Sequence, residues 1–131
     1  EQFMWGDGLL LSPALERDVT SVNAYFPQGY WYNFATRAFF LDASSQGQFV
    51  SLPTPLTETN AHVRGGKILP LQEAAMTTTE GRKTPFTLLV ALCPHGKASG
   101  DLFWDDGEQI ELERYLRASF AASVSTTDGT V

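Results

Sequence analysis

An all-β fold, an antiparallel β-sandwich preceded by one strand from a different unit, is what three features of this sequence predict. Its apolar runs are short and evenly spaced, turn residues separate them, and the last run alternates between apolar and mostly polar side chains. At 131 residues, 43% hydrophobic and 12% aromatic, the chain has the apolar material for one packed domain.

The first run, residues 9–15 (LLLSPAL), is bounded by Gly8 and Glu16 and offers apolar side chains to both faces. A sandwich strand commonly gives one face to water, whereas a barrel strand has helices outside and packed side chains inside. The pattern therefore predicts a boundary: residues 1–15 as the terminal strand of a (β/α)8 barrel, and residues 16–131 as a β-sandwich, incomplete at its C-terminal end. Beyond Glu16 the runs shorten. Residues 22–26 lead into Pro27-Gln28-Gly29, and residues 30–34 are followed by the polar break at 44–47 and a run at 49–52. Pro53 and Pro55 punctuate, residues 62–64 meet Gly65-Gly66, and residues 84–93 meet Pro94-His95-Gly96. Leu116, Ala118, Phe120, Ala122 and Val124 alternate with their neighbours and predict a half-buried strand. Leu112, Leu116 and Phe120 also fit one helical stripe, an alternative that periodicity leaves open.

A net charge of -6, with basic residues scattered rather than clustered, argues against nucleic acid or anionic lipid as a partner. The longest apolar run, residues 86–93, is far short of the roughly 18 residues of a membrane helix, so no membrane insertion is expected. Cys93 is the only cysteine; it excludes an internal disulfide and reads as a small core hydrophobe. No cofactor motif is present. Gly66-Lys67 lacks the spacing of a phosphate loop, no Gly-x-Ser-x-Gly elbow exists, and no Cys/His spacing suits zinc.

Two polar motifs stand out. In Trp104-Asp105-Asp106-Gly107-Glu108 the carboxylates could serve calcium, but alternating ligand spacing is missing, and Asp-Gly between two runs is a favoured tight turn. His62 and Arg64 fall on one face of a strand above Gly65-Gly66, where they could meet a ligand or a carboxylate of a neighbouring domain. A structural or interdomain role is the expectation for His62, Arg64, Gly65, Gly66, Trp104, Asp105, Asp106 and Gly107; no catalytic, substrate-binding or metal-binding residue is assigned. Trp5, Tyr25, Tyr30, Trp31, Tyr32 and Trp104 suit either a core or a sugar-stacking platform, with residues 30–32 the best platform candidate.

Four motifs in this order, Gln2-Phe3-Met4-Trp5-Gly6-Asp7 with Leu9-Leu10-Leu11-Ser12-Pro13, Ala24-Tyr25-Phe26-Pro27 with Trp31-Tyr32, His62-Val63-Arg64-Gly65-Gly66 with Ile68-Leu69-Pro70-Leu71-Gln72, and residues 102–108, carry a family resemblance. They resemble the region of a glycoside hydrolase family 31 α-glucosidase where the catalytic barrel ends and its proximal C-terminal β-sandwich follows. With Thr77-Thr78-Thr79-Glu80 between the last two, they look most like the acid and intestinal branch. Such enzymes release terminal α-linked glucose from maltose-like or glycogen-like chains with retention, using two carboxyl groups roughly 5 Å apart. The family's Trp-x-Asp-x-Asn-Glu nucleophile motif is absent, so the resemblance implies a segment inactive alone, partnered by the parent's barrel and meeting an α-glucoside only through it. It also implies a lysosomal or secretory setting. Asn33, Arg37 and Glu73-Ala74 depart from the family pattern at turns. A stand-alone carbohydrate-binding or interaction module is the other reading.

Overall fold

The computed structural model describes residues 1–108, 110, 111 and 113–124. It is an all-β sandwich, as the run spacing predicts, with three sheets. Strands β1 (Phe3–Trp5), β2 (Leu9–Leu11), β4 (Gly29–Asn33), β5 (Phe39–Ala43) and β7 (Ala61–Arg64) form a five-stranded antiparallel sheet in the order β1-β2-β7-β4-β5. Strands β3 (Ser21–Phe26) and β6 (Gln48–Pro53) pair antiparallel as a second sheet. The third contains β8 (Lys67–Leu71), β9 (Thr87–Ala91), β10 (Lys97–Asp105) and β11 (Tyr115–Ser123) in the order β11-β10-β8-β9. Its β8–β10 junction is parallel, with Ser99 opposite Lys67, and the others are antiparallel.

The core lies between the first two sheets. Met4, Leu10, Trp31, Leu41 and Ala43 share one face of the five-stranded sheet by register, and Ala24, Phe26, Val50 and Leu52 meet them from β3 and β6. Trp31 is fully buried, its indole N–H donating to the Pro27 carbonyl at 2.8 Å, with Phe26 edge-on at a centroid distance of 5.5 Å. Each of these two rings contributes about 2–3 kcal/mol by burial. Gln2 closes an edge of the second sheet, its side-chain amide exchanging hydrogen bonds with both backbone groups of Tyr25.

The strands before Leu15 are hydrogen-bonded into the five-stranded sheet. β2 pairs with β7 through Leu9–Val63, Leu10–His62 and Leu11–Ala61, and Leu10 is only 2% exposed. The five-stranded sheet has cover on both sides, since the Tyr32 hydroxyl donates to the Leu92 carbonyl at 2.7 Å and Val63 is buried beside Leu89 and Ala91. A strand in such a middle layer needs apolar side chains on both faces. Within this sandwich, residues 9–11 thus have neighbours on both faces.

The C-terminal alternation forms a strand: β11 pairs with β10 from Lys97–Ser123 to Asp105–Tyr115. Leu112, the first residue of the alternative helical stripe, lies outside the described residues. Helix α1 (Thr78–Gly81) is one turn, N-capped by Thr77, whose hydroxyl accepts from the Glu80 N–H.

Candidate functional site

The two polar motifs occupy opposite ends of β10. That strand rises at about 3.3 Å per residue, so its nine residues span roughly 26 Å. They are two structural centres.

At the first centre the chain passes from the five-stranded sheet to the four-stranded one. β7 pairs with β2 and β4, while β8 pairs with β9 and β10, so Gly65-Gly66 is a corner between sheets and not a hairpin turn. The Gly65 N–H donates to the Tyr30 carbonyl and the Gly66 N–H to the Ala91 carbonyl, both at 2.7 Å; Ser99 N–H donates to the Gly66 carbonyl at 3.0 Å. A Cβ on Gly65 would lie 2.8 Å from the Tyr30 Cβ and 2.9 Å from the Leu92 carbonyl oxygen, while Gly66 has φ +90°. Only residues without a side chain fit both positions.

The face carrying His62 and Arg64 is that of Leu10 and Trp31, the core face. His62 is 1% exposed, its ring 5.0 Å from Phe26 edge-on and 4.4 Å from Phe40. Its Nδ1 has no hydrogen-bond partner among the described residues. Burial pushes its pKa down to about 4, so the imidazole is neutral and packs as an aromatic ring. Arg64 lies across Gly29, with its guanidinium 5.8 Å from the Trp31 ring centroid and Nη2 donating to the Gln28 carbonyl at 2.7 Å. Beside the larger effect of Lys67, the Arg64 charge also helps to lower the pKa of the Asp7 carboxyl.

At the second centre, Asp105 Oδ1 accepts from the Gly107 N–H at 2.9 Å and Asp106 Oδ1 from the Glu108 N–H at 3.0 Å. These are paired Asx turns. Gly107 has φ +76°, and Arg82 lies beside it with its guanidinium 4.1 Å above the Trp104 ring; Phe86 meets the same indole edge-on at 5.1 Å. The motif thus clamps the α1 loop to β10, helped by Gln72, whose side-chain N–H groups donate to the Gly81 and Thr84 carbonyls. Among the described residues no group of three or more His, Cys, Asp or Glu could hold a metal ion. No helix among them is long and apolar enough to cross a membrane.

The platform candidate at residues 30–32 divides between two faces. Trp31 is core; Tyr30 and Tyr32 flank Phe39 edge-on at 68° and 80°, an aromatic herringbone and not a flat stacking surface. Sequence reasoning missed Lys67, which forms an ion pair with Asp7 across the sheets, and Arg82. The Lys67 contact holds the Asp7 carboxyl below the usual range. Only the Gly6-Asp7-Gly8 turn hinted that Asp7 stands clear of a strand.

Residues 1–69 match the model of the Glycosyl hydrolase family 31 C-terminal domain. The chain is 43% identical to the lysosomal alpha-glucosidase of Rattus norvegicus, covering 95% of this chain and 15% of that protein. It is 49% identical to an alpha-glucosidase of Hordeum vulgare, covering 86% of this chain and 13% of that one. Among solved structures, the Tris-bound glucosidase II alpha subunit superposes with a TM-score of 0.84 at 29% identity, covering 93% of this chain and 14% of that chain. The chain spans only about a seventh of the length of these relatives.

Proposed function

This chain belongs to glycoside hydrolase family 31, as a C-terminal domain of that family, and on that premise we propose that it is the non-catalytic brace of a retaining α-glucosidase. The parent enzyme hydrolyses terminal α-linked glucose of maltose-like or glycogen-like substrates. This segment seats on the parent's catalytic barrel and holds it in shape. The lysosomal relative supports a lysosomal or secretory-pathway setting for the parent.

One observation carries the bracing role. By register, Ile68, Leu88, Val90, Leu102, Leu116 and Phe120 share the face of the four-stranded sheet turned away from the five-stranded one. Leu88, Val90 and Leu116 on it are exposed. An apolar sheet face of this kind is the pattern of a surface that belongs under cover. Two described carboxyl groups, Asp7 and Asp42, are held low in pKa, by Lys67 and by hydrogen bonds from Ser44 respectively. A general acid needs the opposite shift.

The purified segment is expected to give no turnover of maltose. In the full-length parent, Leu88→Asp with Val90→Asp should lower the melting temperature and yield with KM for maltose unchanged. A raised KM at unchanged melting temperature would place this face in substrate binding and overturn the bracing role.

A further inference from the structure

Trp5 is the most exposed of the three tryptophans, at 72%, and it stands at the rim of a groove of about 450 Å³ between the β1–β2 turn and the four-stranded sheet. That is within the roughly 300–1,000 Å³ of small-molecule clefts. Strand register lines up polar groups along this groove: Lys67 lies opposite Ser99, Asp101 is two residues farther along β10 on the same face, and Ser119 lies opposite Asp101. The face they share is the one turned toward the five-stranded sheet, because Lys67 reaches Asp7 in the β1–β2 turn. Ser99, Asp101 and Ser119 are exposed, and their side chains bond to no described residue. Farther along the same face Phe103 stacks on Tyr115, with centroids 5.4 Å apart and planes 25° from parallel.

An exposed indole offers a flat apolar surface to the C–H face of a pyranose. An adjacent carboxylate and ammonium supply an acceptor and a donor for neighbouring hydroxyls, and the serine hydroxyls supply both. The mixture of signs suits a neutral polyhydroxyl ligand, and the net charge of -6 disfavours a polyanion. We propose that this groove binds a neutral linear oligosaccharide, with one sugar ring on Trp5, hydroxyls on the Asp7–Lys67 pair and Asp101, and the remainder running toward Phe103 and Tyr115. The site is independent of the bracing role, and either can fail without the other.

The test is a titration of the 131-residue chain with maltotriose, read by backbone amide chemical shifts. Saturable shifts are expected at residues 6–8, 67, 99–101 and 119, with none at Tyr25 and Phe49 on the outer face of the second sheet. Trp5→Ala should abolish saturation while the thermal transition is retained, since Trp5 is an exposed residue on an edge strand. Asp101→Asn should weaken binding about tenfold, the loss of one hydrogen bond to a charged group. Absence of saturation, the same shifts with glycerol, or saturation undiminished in both variants would overturn the proposal.

Discussion

The two halves of the sandwich handle burial differently. Between the five-stranded and two-stranded sheets, Leu10, Phe26, Trp31, Leu52 and His62 are all essentially removed from solvent. In the four-stranded sheet the buried apolar residues are small or few, Ile68, Ala91 and Ala98, while Leu88, Val90 and Leu116 on its outward face remain exposed. The first half closes its core with its own strands. The second presents apolar surface outward, the pattern expected of an element whose packing is completed from outside. Stability should therefore be concentrated in the first half and interaction in the second.

The harshest way to break that contrast is to remove residues 1–15. This takes away two strands of the five-stranded sheet together with Met4 and Leu10, and the cooperative thermal transition should disappear. A variant that still melts cooperatively would return the first strands to a separate unit and weaken the comparison at its root.

A smaller effect comes from acid. The native imidazole of His62 stays neutral down to about pH 4, whereas in the unfolded chain it takes a proton near 6.5. Above that upper value both states are neutral and the contribution is fully present. As pH falls from about 6.5 to 4 the unfolded state binds a proton the native core refuses, and roughly 3 kcal/mol of stability is lost. Denaturant unfolding across this window should show the loss in wild type. His62→Phe should flatten it, and an unchanged slope would mean that His62 is not shut inside the closed half.

The two glycine motifs sharpen the comparison. Gly65→Ala forces a Cβ against Tyr30 and a backbone carbonyl at the corner between sheets, and should cost about 3 kcal/mol in denaturant unfolding. Gly107→Ala imposes a side chain at positive φ, but its neighbour is the flexible end of Arg82, so about 1 kcal/mol is expected. Equal costs would show that the second turn is as constrained as the first. The smallest effect should be Leu116→Ser, within about 0.5 kcal/mol for the isolated chain because the side chain is already exposed. In the full-length parent the same change should cost more, and equal effects in the two settings would remove Leu116 from any covered surface.

Much of this fold was legible as pattern. Alternation at Leu116, Ala118, Phe120 and Ala122 marks β11, and the Asp-Gly pair at 106–107 marks a turn, because both are local consequences of backbone geometry. Gly65-Gly66 likewise announced a bend. The four motifs together also sufficed to point to the family, since each is a short run of residues carried in a recognisable order.

What local pattern could not settle was which sheet each strand joins and what covers it. Residues 9–11 are apolar on both faces, and that property says only that both faces are buried. The pairing with Ala61–Val63, 50 to 54 residues away, places these residues in the middle layer of this sandwich. His62 and Arg64 share a face in sequence, but tertiary packing turned that face into the core and neutralised the imidazole. The Lys67, Ser99, Asp101 and Ser119 tract exists only because a parallel and an antiparallel register align three strands. Side-chain period is a property of one strand, whereas register, cover and desolvation belong to pairs of strands brought together by folding, and no single stretch of sequence contains them.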